Sequence, residues 1–435
     1  MRYPMQIITG FSKLNKSERV DILRKHVPLS EEQVILLSNF QGEDIKIDEL
    51  IENISENYVS NYVLPFGITP NFLVNDRAYF VPMVTEESSV VAAASYAAKF
   101  WSDKGGFRTR VLGTKKTGQI YFSWEGNIKK LQDDLPILKE LLLSVAKPLT
   151  VNMEKRGAGI SDVTLSYGGD YHILNVEFET ADSMGANLIN SCLEAMSPEL
   201  LSFLKASYPK VNPDAEIIMA ILSNYTPDCM VECSVECSIS QLSQISGDLS
   251  AERFARKFEL AVKVAKENVQ RAVTHNKGIF NGIDSVLLST GNDFRAVEAF
   301  GHAYASKDGK YTSLTDVEIN EKGFKYTLRI PLSVGTVGGV TSVHPLSKLA
   351  LQIMGNPSAK ELMQIVAAVG LANNFAAIRS LITDGIQKGH MKLHLNNILY
   401  QFNANASEKE RAEEYFKNHT VSFKSVSNYL ESIRE

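Results

Sequence analysis

Apolar and polar positions follow one period and then another along the chain, and each change of period marks a change of element. The first hundred residues carry helical spacing from Lys16 to His26, around Glu31 to Asn39, and in IDELIENISENYV from Ile47. An extended stretch, NFLVNDRAYFVPMV, follows with a turn at Asn75 and Asp76 and runs into Glu86 and Glu87. SSVVAAASYAAKFW then reads as a small-residue helix with Ser88 and Ser89 as caps, its alanines permitting close packing against another backbone.

From Thr114 to about Met219 the pattern becomes strand-like in QIYFSW, VTLSY and YHILNVEFET, interspersed with helical IKKLQDDLPILKELLLSVA and NLINSCLEAM. Such alternation predicts a separate α+β module of antiparallel strands with helices on one face. SAERFARKFELAVKVAKENVQRAV then places Phe254, Phe258, Ala261, Val262, Ala265 and Val269 at helical spacing behind a Ser250 cap. At ~1.5 Å per residue this single long helix spans roughly 30 Å and delivers its end, THNKG, to a deep site. A hairpin turning at Lys322 and Gly323, a glycine-rich GTVGGV from Gly335 and a helix from Ser358 come next. DGIQKGHM, residues 384 to 391, interrupts that helical segment ahead of a polar helical tail.

The 435 residues exceed one ordinary core, so two or three domains are expected. A net charge of -5 with 22% charged residues offers no basic excess for nucleic acid. The longest uninterrupted apolar stretches, from Val90 and from Ile365, fall short of the ~18 residues of a membrane span, and the N-terminus lacks a signal-peptide core. A soluble cytoplasmic protein is expected. Cys229, Cys233 and Cys237 invite a metal site by spacing, but VECSVECSI alternates as a half-buried strand. On a strand rising ~3.3 Å per residue, sulfurs four residues apart stand roughly 13 Å apart and cannot share one ion. No metal is expected.

THNKGIFNGID, residues 274 to 284, followed by GND at 291 to 293, is the most informative segment. By itself it reads as a helix C-terminus closed by Gly278, with His275 and Lys277 favoured there by the helix dipole. Glu87 at a helix start, Lys277 before Gly278, Asp293 after Gly291 and His390 between Gly389 and Met391 are ionisable groups in unusual settings.

Together these segments resemble the soluble, bacterial class II 3-hydroxy-3-methylglutaryl-CoA reductases from about residue 50 to about 400. The resemblance rests on PMVTEESSVVAAASYAAK, DSMGAN, ILSN, THNKGIFNGID, GNDFRAVEA, VGGVT and GIQKGHM in order. It implies a four-electron reduction of the thioester to mevalonate with release of CoA. Lys277 would stabilise the thioester oxyanion, Glu87 would be the general acid, Asp293 would hold and tune Lys277, and His390 would protonate the departing CoA thiolate. Ser89, Arg271 and Asn281 would bind the hydroxymethylglutaryl group, Arg271 as a carboxylate clamp. Asn224, Asp182, Met184, Gly185 and Asn187 would lie by the nicotinamide; outside the family, DSMGAN reads as a cap before NLINSCLEAM.

The resemblance further implies a large, mainly helical substrate domain of residues 1–113 and 220–379 around the long central helix. It carries an inserted small α+β nucleotide domain, ferredoxin-like rather than Rossmann, at 114–219, and a mobile C-terminal flap at 380–435. GAG at 157 to 159 runs into a strand and so departs from the dinucleotide fingerprint. Family members using NAD carry an acid near the position of Thr150; its absence here, beside Lys147, Lys155 and Arg156, favours NADPH over the alternative NADH. Ser88 in place of a proline, Val340 in place of a glycine and Asn373 in place of a glutamine are departures that touch affinity. A homodimer with active sites between subunits, and higher assemblies of it, belong to the same expectation. Two rival readings are a non-catalytic CoA-thioester binding protein and another acyl-CoA reductase on the same scaffold.

Overall fold

The computed structural model describes residues 13–26, 30–39, 45–209, 215–321, 323–383, 385, 395–396 and 398–434. Helices α1 (Lys16–His26), α2 (Glu31–Asn39) and α3 (Ile45–Glu52) lead the chain, with Asp48 of α3 taking a hydrogen bond from Tyr58 and an ion pair from Lys16. Strands β1 (Phe66–Val74) and β2 (Arg77–Val84) form a hairpin whose turn residues Asn75 and Asp76 both have positive φ, the geometry that matches strand twist in two-residue loops. Helix α4 (Val90–Ser102) buries Ala94, Ala97 and Ala98, so its small residues serve close packing as expected.

Strand β3 (Arg108–Val111) then hands the chain to a unit with its own core. Its order is β4 (Lys116–Ser123), α5 (Ile128–Asp133), α6 (Leu135–Glu154), β5 (Gly159–Tyr167), β6 (His172–Glu179), α7 (Ala186–Ser207) and β7 (Glu216–Leu222). The sheet runs β5-β6-β4-β7 with every neighbour antiparallel, a ferredoxin-like arrangement. Alternate residues Ile120, Phe122, Leu174, Val176 and Phe178 pack under Leu138, Leu142 and Leu193 of the two long helices. Its last strand reaches Leu222, so the sheet continues past residue 219.

A second sheet, β3-β8-β10-β9, is built from β8 (Met230–Cys237), β9 (Thr315–Asn320) and β10 (Gly323–Pro331). Strand β8 alternates as its sequence predicts, with Val231, Cys233, Val235 and Cys237 buried and the four cysteines of the chain free. Lys322 of the β9–β10 turn lies outside the described residues. Helices α8 (Ala251–Glu267), α9 (Val269–Ser289), α10 (Phe294–Ala305), α11 (Gly339–Val343), α12 (Pro345–Ile353) and α13 (Ala359–Ile382) complete the large core.

The expected single helix through THNKG is in fact two. Asn268 leaves the helical region and its side chain accepts from the Arg271 N–H, ending α8 and capping α9. THNKGIFNGID therefore lies in the middle of α9, and Gly278 closes no helix. Gly282 shows what the small residues do there: a Cβ at this position would meet the Val369 carbonyl oxygen at 2.7 Å, so its absence lets α9 cross α13 closely.

Helix α13 is, among the described residues, long and apolar enough to cross a membrane, with a mean hydropathy of 1.6 over its best window. Its uninterrupted apolar runs are shorter than a membrane span, so run length alone does not reveal it. Since 78% of the window is buried, it is the central core helix. Helices Ala406–Tyr415 and Phe423–Arg434 close the chain over a small core that includes Leu399, Ala412, Val426 and Leu430.

Candidate functional site

The spacing along α9 sets the site. Arg271, Thr274, Gly278 and Asn281 follow at three- and four-residue intervals and share one face with Lys277, while Ile279, Phe280, Ile283 and Val286 fill the core behind. Across from that face stand the start of α4 and the C-terminal half of α13, enclosing a cleft of about 430 Å³. Glu87, Ser89, Arg271, Lys277 and Asn281 all line it, so five expected site residues meet. Asn373, one of the departures, lies on its wall.

Lys277 Nζ donates to Glu87 Oε2 at 2.6 Å, and both side chains keep access to solvent. Ser89 occupies the N-cap position of α4 but makes no side-chain cap bond; its φ of 80° is the left-handed region, strained for a residue with a Cβ. The capping role expected of Ser89 is thus absent, and the hydroxyl is left for the cleft. Arg271 sits in the first turn of α9, where the helix dipole opposes a cation. It is half-buried, its pKa lowered chiefly by that burial, and among the described residues it has no acidic ion-pair partner. An unpaired, partly desolvated guanidinium on a cleft wall is poised for an external carboxylate.

A buried polar network holds this face in place. Asn374 Nδ2 donates to the His275 carbonyl at 2.7 Å and its oxygen accepts from the Tyr326 hydroxyl, while His275 Nε2 pairs with Thr315 Oγ1 at 2.7 Å. Burial first, and the Arg271 charge second, push the His275 pKa down to about 3, so the ring is neutral. It is a structural group.

Other expected residues lie elsewhere. Asp293 caps α10, accepting from the Ala296 N–H at 3.1 Å and pairing with Arg295 at 3.2 Å. It does not line the cleft, and its ion pair is with Arg295 while that of Lys277 is with Glu87; the capping geometry holds it on another element. His390 lies outside the described residues. Asp182 spends Oδ1 on the Ala359 N–H at the start of α13, at 2.8 Å, which makes it a tie between elements. Thr150 is buried and donates to Glu154 Oε1 at 2.8 Å; Glu154 in turn pairs with Lys147. An acid therefore does stand beside Thr150, one helical turn on, where a search for an acid at the aligned position overlooks it.

Met184 and Asn224 line a second, narrow crevice of about 20 Å³ where β4 and the start of α7 face α10. Gly185 opens α7 with φ of 89° and no side chain caps that helix, while Asn187 lies exposed in its first turn. Lys116 is in the same lining, 5% exposed, donating to Thr180 Oγ1 at 2.5 Å and the Ser183 carbonyl at 2.8 Å. Thr226, also buried there, has a hydroxyl with no partner. Sequence reading passed over Lys116 because a KK pair before a strand looks like solvated charge. It also passed over Asp284, whose pKa is pushed up to about 8 by burial, by Glu298 and by Glu86, and whose Oδ1 is buried without a partner.

The family model for hydroxymethylglutaryl-coenzyme A reductase matches residues 15–395. The chain belongs to that family. It is therefore grouped with oxidoreductases, and its relatives agree along nearly their full lengths. It is 35% identical over 416 residues to 3-hydroxy-3-methylglutaryl-coenzyme A reductase of Archaeoglobus fulgidus, covering 94% of this chain and 90% of the relative. It is 34% identical over 414 residues to the probable reductase of Borreliella burgdorferi, covering 94% and 92%. The solved reductase of Streptococcus pneumoniae superposes with a TM-score of 0.72 at 36% identity, covering 98% of this chain and 99% of that one. Another structure, of the class II enzyme from the same organism bound to NADPH in open conformations, gives 0.72 at 37% identity, covering 86% and 99%.

Proposed function

We propose that the cleft between α4, α9 and α13 reduces 3-hydroxy-3-methylglutaryl-CoA to mevalonate in two successive hydride transfers with release of CoA. The observation that carries this reading is the Lys277–Glu87 pair at 2.6 Å beside an Arg271 that, among the described residues, lacks an acidic partner. A reducible carbonyl set over Lys277 meets a cation placed to stabilise its developing negative oxygen. Glu87, already within hydrogen-bond reach of the same point, donates a proton to the aldehyde oxygen in the second reduction. Arg271 clamps the free carboxylate of the substrate, and Ser89 and Asn281 hold its remaining oxygens.

Reduced nicotinamide supplies the hydride. Support for NADPH comes from the pneumococcal relative solved with it and from Lys155 and Arg156, exposed at the end of α6. The crevice lined by Met184 and Asn224 suits the nicotinamide end, having an orphaned hydroxyl in Thr226 and a cation in Lys116. At about 20 Å³ it is narrower than the ring, so binding the ring there requires the 114–219 unit and α10 to part. That unit is read as the nucleotide domain, residues 1–113 with 220–379 as the substrate domain, and 380–435 as a flap that brings His390 to the departing thiolate.

Asp293 points to a dimer. Since in its own chain it is paired with Arg295 and Lys277 with Glu87, Asp293 of the partner subunit completes the site in a homodimer acting in the cytoplasm. Cofactor oxidation with hydroxymethylglutaryl-CoA and with acetyl-CoA, each under NADPH and NADH, tests the reading. Rapid turnover of the first thioester alone is expected; equal rates would overturn the substrate, and no rate with either would favour a binding protein. Mixing Lys277→Ala and Asp293→Ala subunits tests the dimer, because one intact site per heterodimer should restore activity that neither homodimer has.

A further inference from the structure

The crevice beside Met184 holds a charge that the reaction chemistry does not itself require. Lys116 opens β4 with its ammonium enclosed, and its hydrogen-bond partners are neutral oxygens, Thr180 Oγ1 and the Ser183 carbonyl. An ammonium has three N–H donors, so one remains beyond these two bonds. Thr180 also donates to the Ser183 carbonyl at 2.6 Å, and Ser183 Oγ accepts from the Gly185 N–H at 3.0 Å. Lysine, threonine and the turn into α7 thus form one rigid unit. From the other side the Thr336 N–H bonds the Asp182 carbonyl at 2.8 Å, and a Cβ at Gly335 would meet the Met184 nitrogen at 2.5 Å. The lysine cannot withdraw from the crevice without dismantling this junction.

A fixed cation matters to a ring that changes charge. Reduced nicotinamide is neutral, and the oxidised ring carries a positive charge. We propose that Lys116 is a positioning residue that discriminates between the two redox forms of the cofactor, weakening the oxidised form relative to the reduced one and so promoting exchange of spent cofactor between the two reductions. This rests on the reading that the crevice takes the nicotinamide. A two-hydride reaction needs such exchange once per turnover while the half-reduced substrate stays bound in the neighbouring cleft. At the dielectric of a protein crevice, repulsion between two charges several ångströms apart corresponds to about tenfold or more in affinity.

The charge is adjustable within a useful range. Burial lowers the Lys116 pKa to about 8; the groups facing it are the Glu179 carboxylate at the end of β6, which favours the charged form, and the Cys229 thiol ahead of β8, which donates to the Leu332 carbonyl and is neutral. Cys229 is itself pushed up to about 11 by burial, and the Asp182 carboxylate is turned to the start of α13. The α10 wall contributes Ala296, Val297 and Phe300, none of them titratable.

The test is calorimetric titration of the full chain with NADP+ and NADPH, in the wild type, Lys116→Met and Lys116→Arg. The ratio of the two dissociation constants is read at several pH values, which cancels any titration of the shared phosphates. At pH 7 the ratio of the NADP+ to the NADPH constant should fall about tenfold in Lys116→Met and be retained in Lys116→Arg. In the wild type it should fall as pH rises through about 8. A pH-independent wild-type ratio would overturn the proposal even if the methionine variant failed to fold, as would equal weakening of both forms in a folded Lys116→Met. Asn224→Ala separates the two claims: weakening of both forms alike supports the crevice as the nicotinamide site, and no weakening removes that reading whatever Lys116 does.

Discussion

Lys277 stands with its side chain 60% exposed on the wall of an open cleft, ion-paired to Glu87, whereas Lys116 is 5% exposed in a narrow crevice and, among the described residues, bonded only to neutral oxygens. An exposed pair is worth little in water and opens readily, so Lys277 can exchange its carboxylate for a substrate oxygen at small cost. A buried cation with neutral partners has no such exchange, and below a pKa of about 8 its charge stays in the crevice. The first lysine is built to act on a reacting atom. The second is built to bias what occupies the space beside it.

The largest expected effect breaks the pair at the open end. Lys277→Ala should lower kcat for the thioester by about a hundredfold to a thousandfold, the range seen when a preorganised oxyanion donor is removed, with a much smaller change in KM. Steady-state kinetics with hydroxymethylglutaryl-CoA checks this. Activity within a few-fold of wild type would remove Lys277 from the reaction and with it the contrast between the two lysines.

A middle effect tests whether the open cleft owes its lysine's position to helix packing. Gly282→Ala puts a methyl 2.7 Å from the Val369 carbonyl and the Asn373 amide, forcing α9 from α13 at a cost of about 1–3 kcal/mol. A lowered Tm together with a raised KM for the thioester is expected. Gly278→Ala, whose new methyl would find Asn374 Nδ2 at an ordinary 3.5 Å, should leave Tm nearly unchanged. Were the two variants equally stable, the close crossing would not be what sets the cleft.

Much of this arrangement is legible in the sequence where local pattern and tertiary fold agree. The β1–β2 turn at Asn75 and Asp76, the alternation of β8 and the bounds of α1 and α2 follow from the chain's own chemistry. The break at Asn268 does not, because apolar spacing continues from Phe258 through Val262 and Ala265 to Val269 and hides the cap. Gly278 reads as a helix end because glycine often is one; only contact with α13 shows that glycines in α9 serve a crossing. Arg271, Lys277 and Asn281 are legible only through the family resemblance, because reading Gly278 as a helix end hides that they share one face of α9. Their meeting with Glu87 and Ser89, nearly two hundred residues earlier, is a tertiary fact that pattern alone does not supply. Lys116 is silent in sequence because nothing in KKTGQI distinguishes a buried ammonium from a solvated one.

Asp284 offers the smallest effect and the sharpest contrast of sign with Lys116. Burial, the Glu298 carboxyl that hydrogen-bonds it and the Glu86 charge raise its pKa to about 8, so in the folded protein it holds a proton that an unfolded chain would release near pH 4. Between those values the native state binds more protons than the unfolded state, and stability falls as pH rises, being fully present below about 4 and lost through about 8. Lys116 has the opposite slope, because its folded pKa is depressed: across about 8 to 10.5 the unfolded state binds more protons and stability rises with pH. Asp284→Asn should therefore flatten the decline between pH 5 and 8 by about 1 kcal/mol per pH unit or less, and should raise stability most near pH 8. Denaturant unfolding at several pH values measures it. An unchanged slope in Asp284→Asn would mean that Asp284 does not hold the extra proton in the folded protein.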